Sequence, residues 1–157
     1  MELREDHLKI VKNAIRFNSP IEEFLNVIIV HSNPSGFKRR TQLTREFTKR
    51  MEIESRVKLY IVELVYDDQL YEVTEEDNPR HLRLYGHTQL WHKENMINIG
   101  VKKLLPEDWK VFAWIDADIE FQSITWAEDT LKILNDTYDV VQLFSFCDDM
   151  EYNGDCI

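Results

Sequence analysis

Apolar runs and amphipathic stretches alternate along this chain. Consecutive apolar residues, as expected for strands that are covered on both faces, occupy 25–31, 57–65 and 140–146. Shorter strands are predicted at 81–86, where apolar and polar residues alternate, and at 110–115. Apolar residues at helical spacing predict helices over 6–16, 39–51 and 126–134, and a fourth within 91–106.

Helices and strands in this order predict an α/β fold. Right-handed crossovers should build a mostly parallel sheet with helices on both faces. The length of 157 residues suits one domain with a sizeable core. We therefore expect a single α/β domain over 1–157.

The composition argues against several classes of protein. An apolar fraction of 43% is typical of a folded globule, and a net charge of −10 argues against nucleic acid as the main partner. No apolar run is long enough to cross a bilayer, and the charged first residues are unlike a secretory signal. These two features predict a soluble, intracellular protein. Cys147 and Cys156 lack the spacing of a zinc site, so we expect both to be free thiols.

The segment Lys110–Phe121, KVFAWIDADIEF, places two aspartates where a strand ends. Ligands bind at this end of the strands in open α/β sheets. Residues two apart on an extended backbone point the same way, so Asp116 and Asp118 can converge on one hard cation. Magnesium or manganese would suit these oxygens and keep sites for phosphate. Aspartates also end strands because they favour turns, and this alternative stays open.

Charged residues elsewhere are further candidates for binding. The loop after the first long strand brings Lys38, Arg39 and Arg40 to a helix start, where they cradle an anion or simply lie in solvent. Glu63 interrupts an apolar strand, and a buried carboxylate needs donors from a ligand, an arginine or backbone amides. Segment 93–98 has polar residues at helical spacing, for which pairing within the helix is the ordinary explanation.

Several motifs in order resemble the nucleotide-sugar half of glycosyltransferases with the GT-A fold, in particular family-two-like transferases of viruses and bacteria. They are the SNP loop with Arg39 and Arg40, VEL at 62–64, LWHKENMINIG at 90–100, LLPEDWKVFAWIDADIEF at 104–121 and VVQLFS at 140–145. Spaced motifs in order are more specific than a single D-x-D. The resemblance implies a Rossmann-like GT-A domain that binds a UDP- or GDP-linked sugar.

The resemblance also implies roles for individual residues. Asp118 would coordinate Mn²⁺ or Mg²⁺ at the donor diphosphate, and Asp116 would contact the ribose or the same metal. The other nucleotide-sugar-binding residues implied are Asn33 and Glu63 near the nucleoside, Lys93 and Asn98 near the ribose, phosphates or sugar, and Arg39 and Arg40 in the loop. We expect the protein to act in the cytoplasm. Because the resemblance includes viral transferases, this would be the cytoplasm of a host cell if the gene is viral.

Such transferases continue after VVQLFS into an acceptor-side half, whereas this chain ends at Ile157. We therefore expect nucleotide-sugar binding with poor transfer to an acceptor. One alternative is a binding module or inactive transferase that keeps only the nucleotide site. Another is a haloacid-dehalogenase-like phosphatase, whose first D-x-D aspartate is a nucleophile. The phosphatase has less support, because that fold needs a later lysine and only Lys132, in a predicted helix, follows the aspartates.

Overall fold

The computed structural model describes residues 2–135 and 138–151. Its elements, in chain order, are α1 (Glu2–Phe17), β1 (Leu25–Ser32), α2 (Lys38–Ile53), β2 (Val57–Tyr66), β3 (His81–Gly86), α3 (Lys93–Leu104), β4 (Phe112–Trp114) and α4 (Trp126–Ile133). The strands form one sheet in the order β3-β2-β1-β4, and every neighbouring pair is parallel. The predicted α/β fold, with a parallel sheet flanked by helices, is confirmed.

The direction in which strands are added to the sheet reverses at β1. From β1 the chain passes through α2 to β2 and then to β3, and it returns through α3 to β4 on the far side of β1. The gap between the carboxyl ends of β1 and β4 is therefore a topological switch point. Open α/β sheets bind ligands at this position.

Two apolar layers cover the sheet, one on each face. On one face Val27 and Ile29 of β1 pack with Phe47 of α2 and with α4, and on the other Ile28 packs with Met96 of α3. The alternation follows from the strand, in which successive side chains point to opposite faces. The continuous apolar runs of β1 and β2 are thus explained by burial on both faces.

Close packing holds α3 against the sheet. A Cβ atom added at Gly100 would lie 2.9 Å from Cγ2 of Val62 and 3.3 Å from Cγ2 of Ile28. Only glycine leaves room for the helix backbone to approach these two strands so closely. This contact fixes α3 under the sheet, with its first turn near the carboxyl end of β4.

The strand predicted at 140–146 is wrong. The structure has no strand there, and the side chains of Val140, Phe144 and Phe146 are exposed. An apolar run favours extended backbone, but a strand also needs a hydrogen-bonding neighbour, and β4 offers only three residues at the edge of the sheet. The other predicted elements are confirmed, although β4 is shorter than the predicted 110–115 and α1 starts earlier than residue 6.

Two further predictions concern the state of the cysteines and the absence of a membrane span. Cys147 is exposed and free, as predicted, whereas Cys156 lies outside the described residues. Within the described ranges, no helix has the length and apolar character that crossing a membrane requires.

Candidate functional site

The loop that follows β4 carries the two predicted aspartates. Asp116 and Asp118 are both exposed, and the carboxylate of Asp116 forms a hydrogen-bonded ion pair with the ammonium group of Lys93. Lys93 is the first residue of α3, so the pair joins that helix to the end of β4. The structure thus brings together two of the predicted site residues that lie far apart in sequence.

The beginning of α3 places its polar side chains differently from the predicted helical pairing. Glu94 accepts a hydrogen bond from the indole N–H of Trp91 at 3.1 Å. This bond, helped by the backbone N–H of Glu94 itself and by the charge of Lys93, lowers the pKa of Glu94. Asn98 is exposed and lies five residues after Lys93, which is about 7.5 Å further along the helix axis. It is therefore not part of the ion pair with Asp116.

The aspartates alone do not complete a coordination sphere. Among the residues that the structure describes, no group of three or more His, Cys, Asp or Glu side chains is placed to hold a metal ion. Asp116 and Asp118 are exposed carboxylates on one loop, and a hard cation held by them would have to take its other ligands from phosphate and water. Such a cation would share Asp116 with the ammonium group of Lys93.

Asn33 shapes the loop between β1 and α2. Its side chain accepts a hydrogen bond from the backbone N–H of Phe37 at 3.0 Å and donates to the Phe37 carbonyl and the Thr41 hydroxyl. Gly36 follows in the left-handed region, at φ 64°, which glycine adopts without strain. The polar atoms of the Asn33 side chain therefore form hydrogen bonds that stabilise this loop. Its predicted contact with a nucleoside stays a prediction.

The same loop presents the predicted basic cluster. Lys38, Arg39 and Arg40 are exposed at the start of α2, and the Arg40 guanidinium donates to the Ser32 carbonyl at 3.1 Å. The first turn of α2 holds no acidic residue, and its N-cap residue, Phe37, makes no side-chain capping bond. Positive side chains and the partial positive charge of a helix N-terminus together favour an anion at this end of the helix.

Glu63 is fully buried and satisfied by backbone amides, one of the three sources of donors that the sequence left open. Its carboxylate accepts hydrogen bonds from the N–H groups of Glu72, Val73 and Thr74, at 2.6 to 3.2 Å, and from the Thr74 hydroxyl at 2.6 Å. The carboxylate thereby anchors the segment between β2 and β3. Its predicted contact with a nucleoside would have to be made beside these bonds.

His31, which sequence reasoning missed, lies next to Glu63 in the register of β1 and β2. The residue is only 4% exposed, and burial lowers the pKa of its imidazole. Nδ1 lies 3.0 Å from the hydroxyl of Thr44 in α2, while Nε2 is buried without a hydrogen-bond partner in the described part of the chain. A single histidine ending an apolar run has no spacing signal that would have identified it.

The site residues divide into two clusters on opposite faces of the sheet. The α2-side cluster is His31, Asn33 and Glu63, and the α3-side cluster is Lys93 and Asp116. Both lie at the carboxyl edge, and the switch point lies between them. A ligand that contacts both clusters must cross this edge.

Comparison with other proteins gives no independent identification. Neither a protein-family model, nor a curated protein, nor a solved structure matches this chain. What the chain binds must therefore be inferred from the chemistry of the sheet edge.

Proposed function

We propose that this chain binds a nucleoside diphosphate sugar at the carboxyl edge of its sheet and acts as a glycosyltransferase of the GT-A type. The observation that carries the proposal is the switch point between β1 and β4, with cationic side chains on one flank and carboxylates on the other. A diphosphate needs positive charge, and a bound cation needs carboxylates. Both requirements meet at this edge.

The β1 flank supplies charge for phosphate. Lys38, Arg39 and Arg40 are exposed in the first turn of α2, and the Asn33 side chain fixes the loop that presents them. A helix N-terminus adds partial positive charge to these side chains. This flank would hold the diphosphate electrostatically, in a chain that is acidic overall.

The β4 flank supplies carboxylates for a metal. Asp116 and Asp118 would hold Mn²⁺ or Mg²⁺, which when bound neutralises charge on the nucleoside diphosphate that leaves. Lys93 is kept at the edge by Asp116 and places a further positive charge there. Sugar transfer releases a nucleoside diphosphate, and cationic side chains beside it stabilise that leaving group.

Nucleotide titration is the test. Calorimetry with UDP and GDP, each with and without Mn²⁺, should show binding that depends on the metal. Product analysis with labelled UDP- and GDP-sugars then separates a transferase from a binding module, which binds the nucleotide without consuming the sugar. Release of phosphate from generic phosphoesters would favour a phosphatase instead. Absence of nucleotide binding under all of these conditions would refute the proposal.

A further inference from the structure

A cavity of about 260 Å³ opens beside the carboxyl ends of β1 and β2. Its lining combines three apolar residues, Leu64, Val65 and Leu70, with five polar ones, His31, Asn33, Glu63, Gln69 and Glu72. Polar groups that converge beside apolar side chains are typical of small-molecule sites. At this volume the cavity is large enough for a heterocyclic base.

The hydrogen bonds around His31 fit one neutral tautomer in particular. The Thr44 hydroxyl lies 3.1 Å from the Arg40 carbonyl, which can only accept, and 3.0 Å from His31 Nδ1. When the hydroxyl donates to the carbonyl, its oxygen accepts from Nδ1–H, and Nε2 then carries a lone pair and no proton. Burial, which lowers the pKa of His31, favours this neutral form.

The other polar side chains around the cavity already have partners. The Gln69 amide donates to the Asn33 carbonyl at 2.9 Å and accepts from the Tyr66 N–H at 3.1 Å. Glu63 is occupied by the amides of residues 72–74. His31 Nε2 is therefore a buried acceptor without a donor, and leaving such an atom unsatisfied is costly.

We infer that the cavity takes a planar nitrogen heterocycle and that His31 Nε2 accepts a hydrogen bond from a ring N–H that lies beside a carbonyl group of that heterocycle. The inference rests on the proposed function, within which the ring is the base of the nucleotide. Uracil and guanine carry this N–H, whereas the corresponding ring nitrogens of cytosine and adenine are acceptors. His31 thus determines the specificity for the base, because the lone pair on Nε2 would face a second lone pair on the ring nitrogen of cytosine or adenine.

Paired nucleotides test this specificity. With Mn²⁺ present, UDP should bind about ten- to hundredfold more tightly than CDP, or GDP more tightly than ADP by a similar factor. The two pairs distinguish uracil from guanine as the source of the N–H. Equal affinities within both pairs would overturn the inference.

A matched variant tests the residue. His31→Asn keeps an N–H that can reach Thr44 and removes Nε2, so it should bring the affinities within the pair to within about threefold. His87→Asn, at an exposed histidine, is the control and should keep the discrimination. Discrimination that survives in a folded His31→Asn protein would show that another residue reads the base.

Nitrogen NMR of the wild-type histidines gives a readout that needs no variant. His31 Nε2 should be unprotonated in the free protein, and its shift should move on addition of UDP or GDP in the direction of an accepted hydrogen bond. A protonated Nε2, or a shift that saturating nucleotide leaves unchanged, would overturn the inference while the proposed function stands. If none of the four nucleotides binds, the proposed function and this inference fail together.

Discussion

The ammonium group of Lys93, at the first residue of α3, is ion-paired with the carboxylate of Asp116, just beyond β4. The side chains are 29% and 54% exposed, so water screens the pair. Exposed ion pairs contribute roughly 0 to 1 kcal/mol to stability. The pair therefore contributes little to stability. Its consequence is positional, because it keeps both charged groups at one flank of the switch point.

Replacing Lys93 by methionine should weaken nucleotide binding more than it weakens the fold. We expect UDP or GDP affinity to fall about tenfold, while the free energy of unfolding changes by less than about 1 kcal/mol. Calorimetry and urea unfolding measure the two quantities. The control is Lys102→Met, in the last turn of the same helix, which should change neither. Equal affinities of the two variants would remove Lys93 from the site.

Asp118→Asn should abolish the increase in nucleotide affinity that Mn²⁺ produces. An amide oxygen is a poorer ligand for a hard cation, whereas asparagine suits a turn as well as aspartate does, so the fold should persist. The measurement is the ratio of affinities with and without Mn²⁺, which should approach one. Asp108→Asn, also an exposed residue in a turn, is the control. An unchanged ratio in the folded Asp118 variant would exclude it as a ligand.

Glu63→Gln should destabilise the protein by about 2 kcal/mol or more. In the wild type the N–H groups of 72–74 are shared between two carboxylate oxygens, whereas the glutamine amide offers only one acceptor oxygen. Its NH₂ group would also face other N–H groups in a buried site. Urea unfolding measures the loss, and the amides of 72–74 should exchange with solvent faster. Exposed Glu107→Gln is the control. Unchanged protection of 72–74 would contradict the anchoring role.

Stability should fall as the pH drops below about 6.5, in part because of two histidines. Burial lowers the pKa of His31 and of His81, whose Nδ1 accepts the Glu75 N–H at 2.8 Å. Below an ordinary histidine pKa of about 6.5, the unfolded chain binds protons that the folded chain resists. Above it both states are neutral, and the contribution is constant.

The measurement is the difference in unfolding free energy between about pH 7.5 and about pH 5.5. His31→Asn and His81→Gln should each reduce this difference relative to the wild type. The control is His87→Asn, which should leave it unchanged, because His87 is exposed. An undiminished difference in both variants would assign the acid sensitivity to other groups.

The sequence predicted the central strands well because burial on both faces demands apolar residues at consecutive positions. The bounds of β1 and β2 agree with the prediction within one residue. Segment 140–146 has the same apolar character but no strand, because pairing depends on which edge is available, and that is a property of the whole sheet.

The site was predictable only where a local pattern carried it. Aspartates after an apolar strand led to Asp116, but its pairing with Lys93 depends on how α3 crosses beneath the sheet. The donors to Glu63 come from a segment without helical or strand periodicity. His31 became visible only through its unsatisfied nitrogen. Tertiary hydrogen bonding of this kind leaves no period in the sequence.

The placement of the two clusters on opposite faces separates their effects on stability from their effects on binding. The α2-side and α3-side clusters belong to different helices, so the effects of His31→Asn and Lys93→Met on unfolding free energy should add. A nucleotide that touches both clusters would lose affinity through either substitution made alone. An affinity that falls in only one of the two variants would instead mean that no single molecule spans the edge. Each face of the sheet thus reports separately on whether one ligand bridges it.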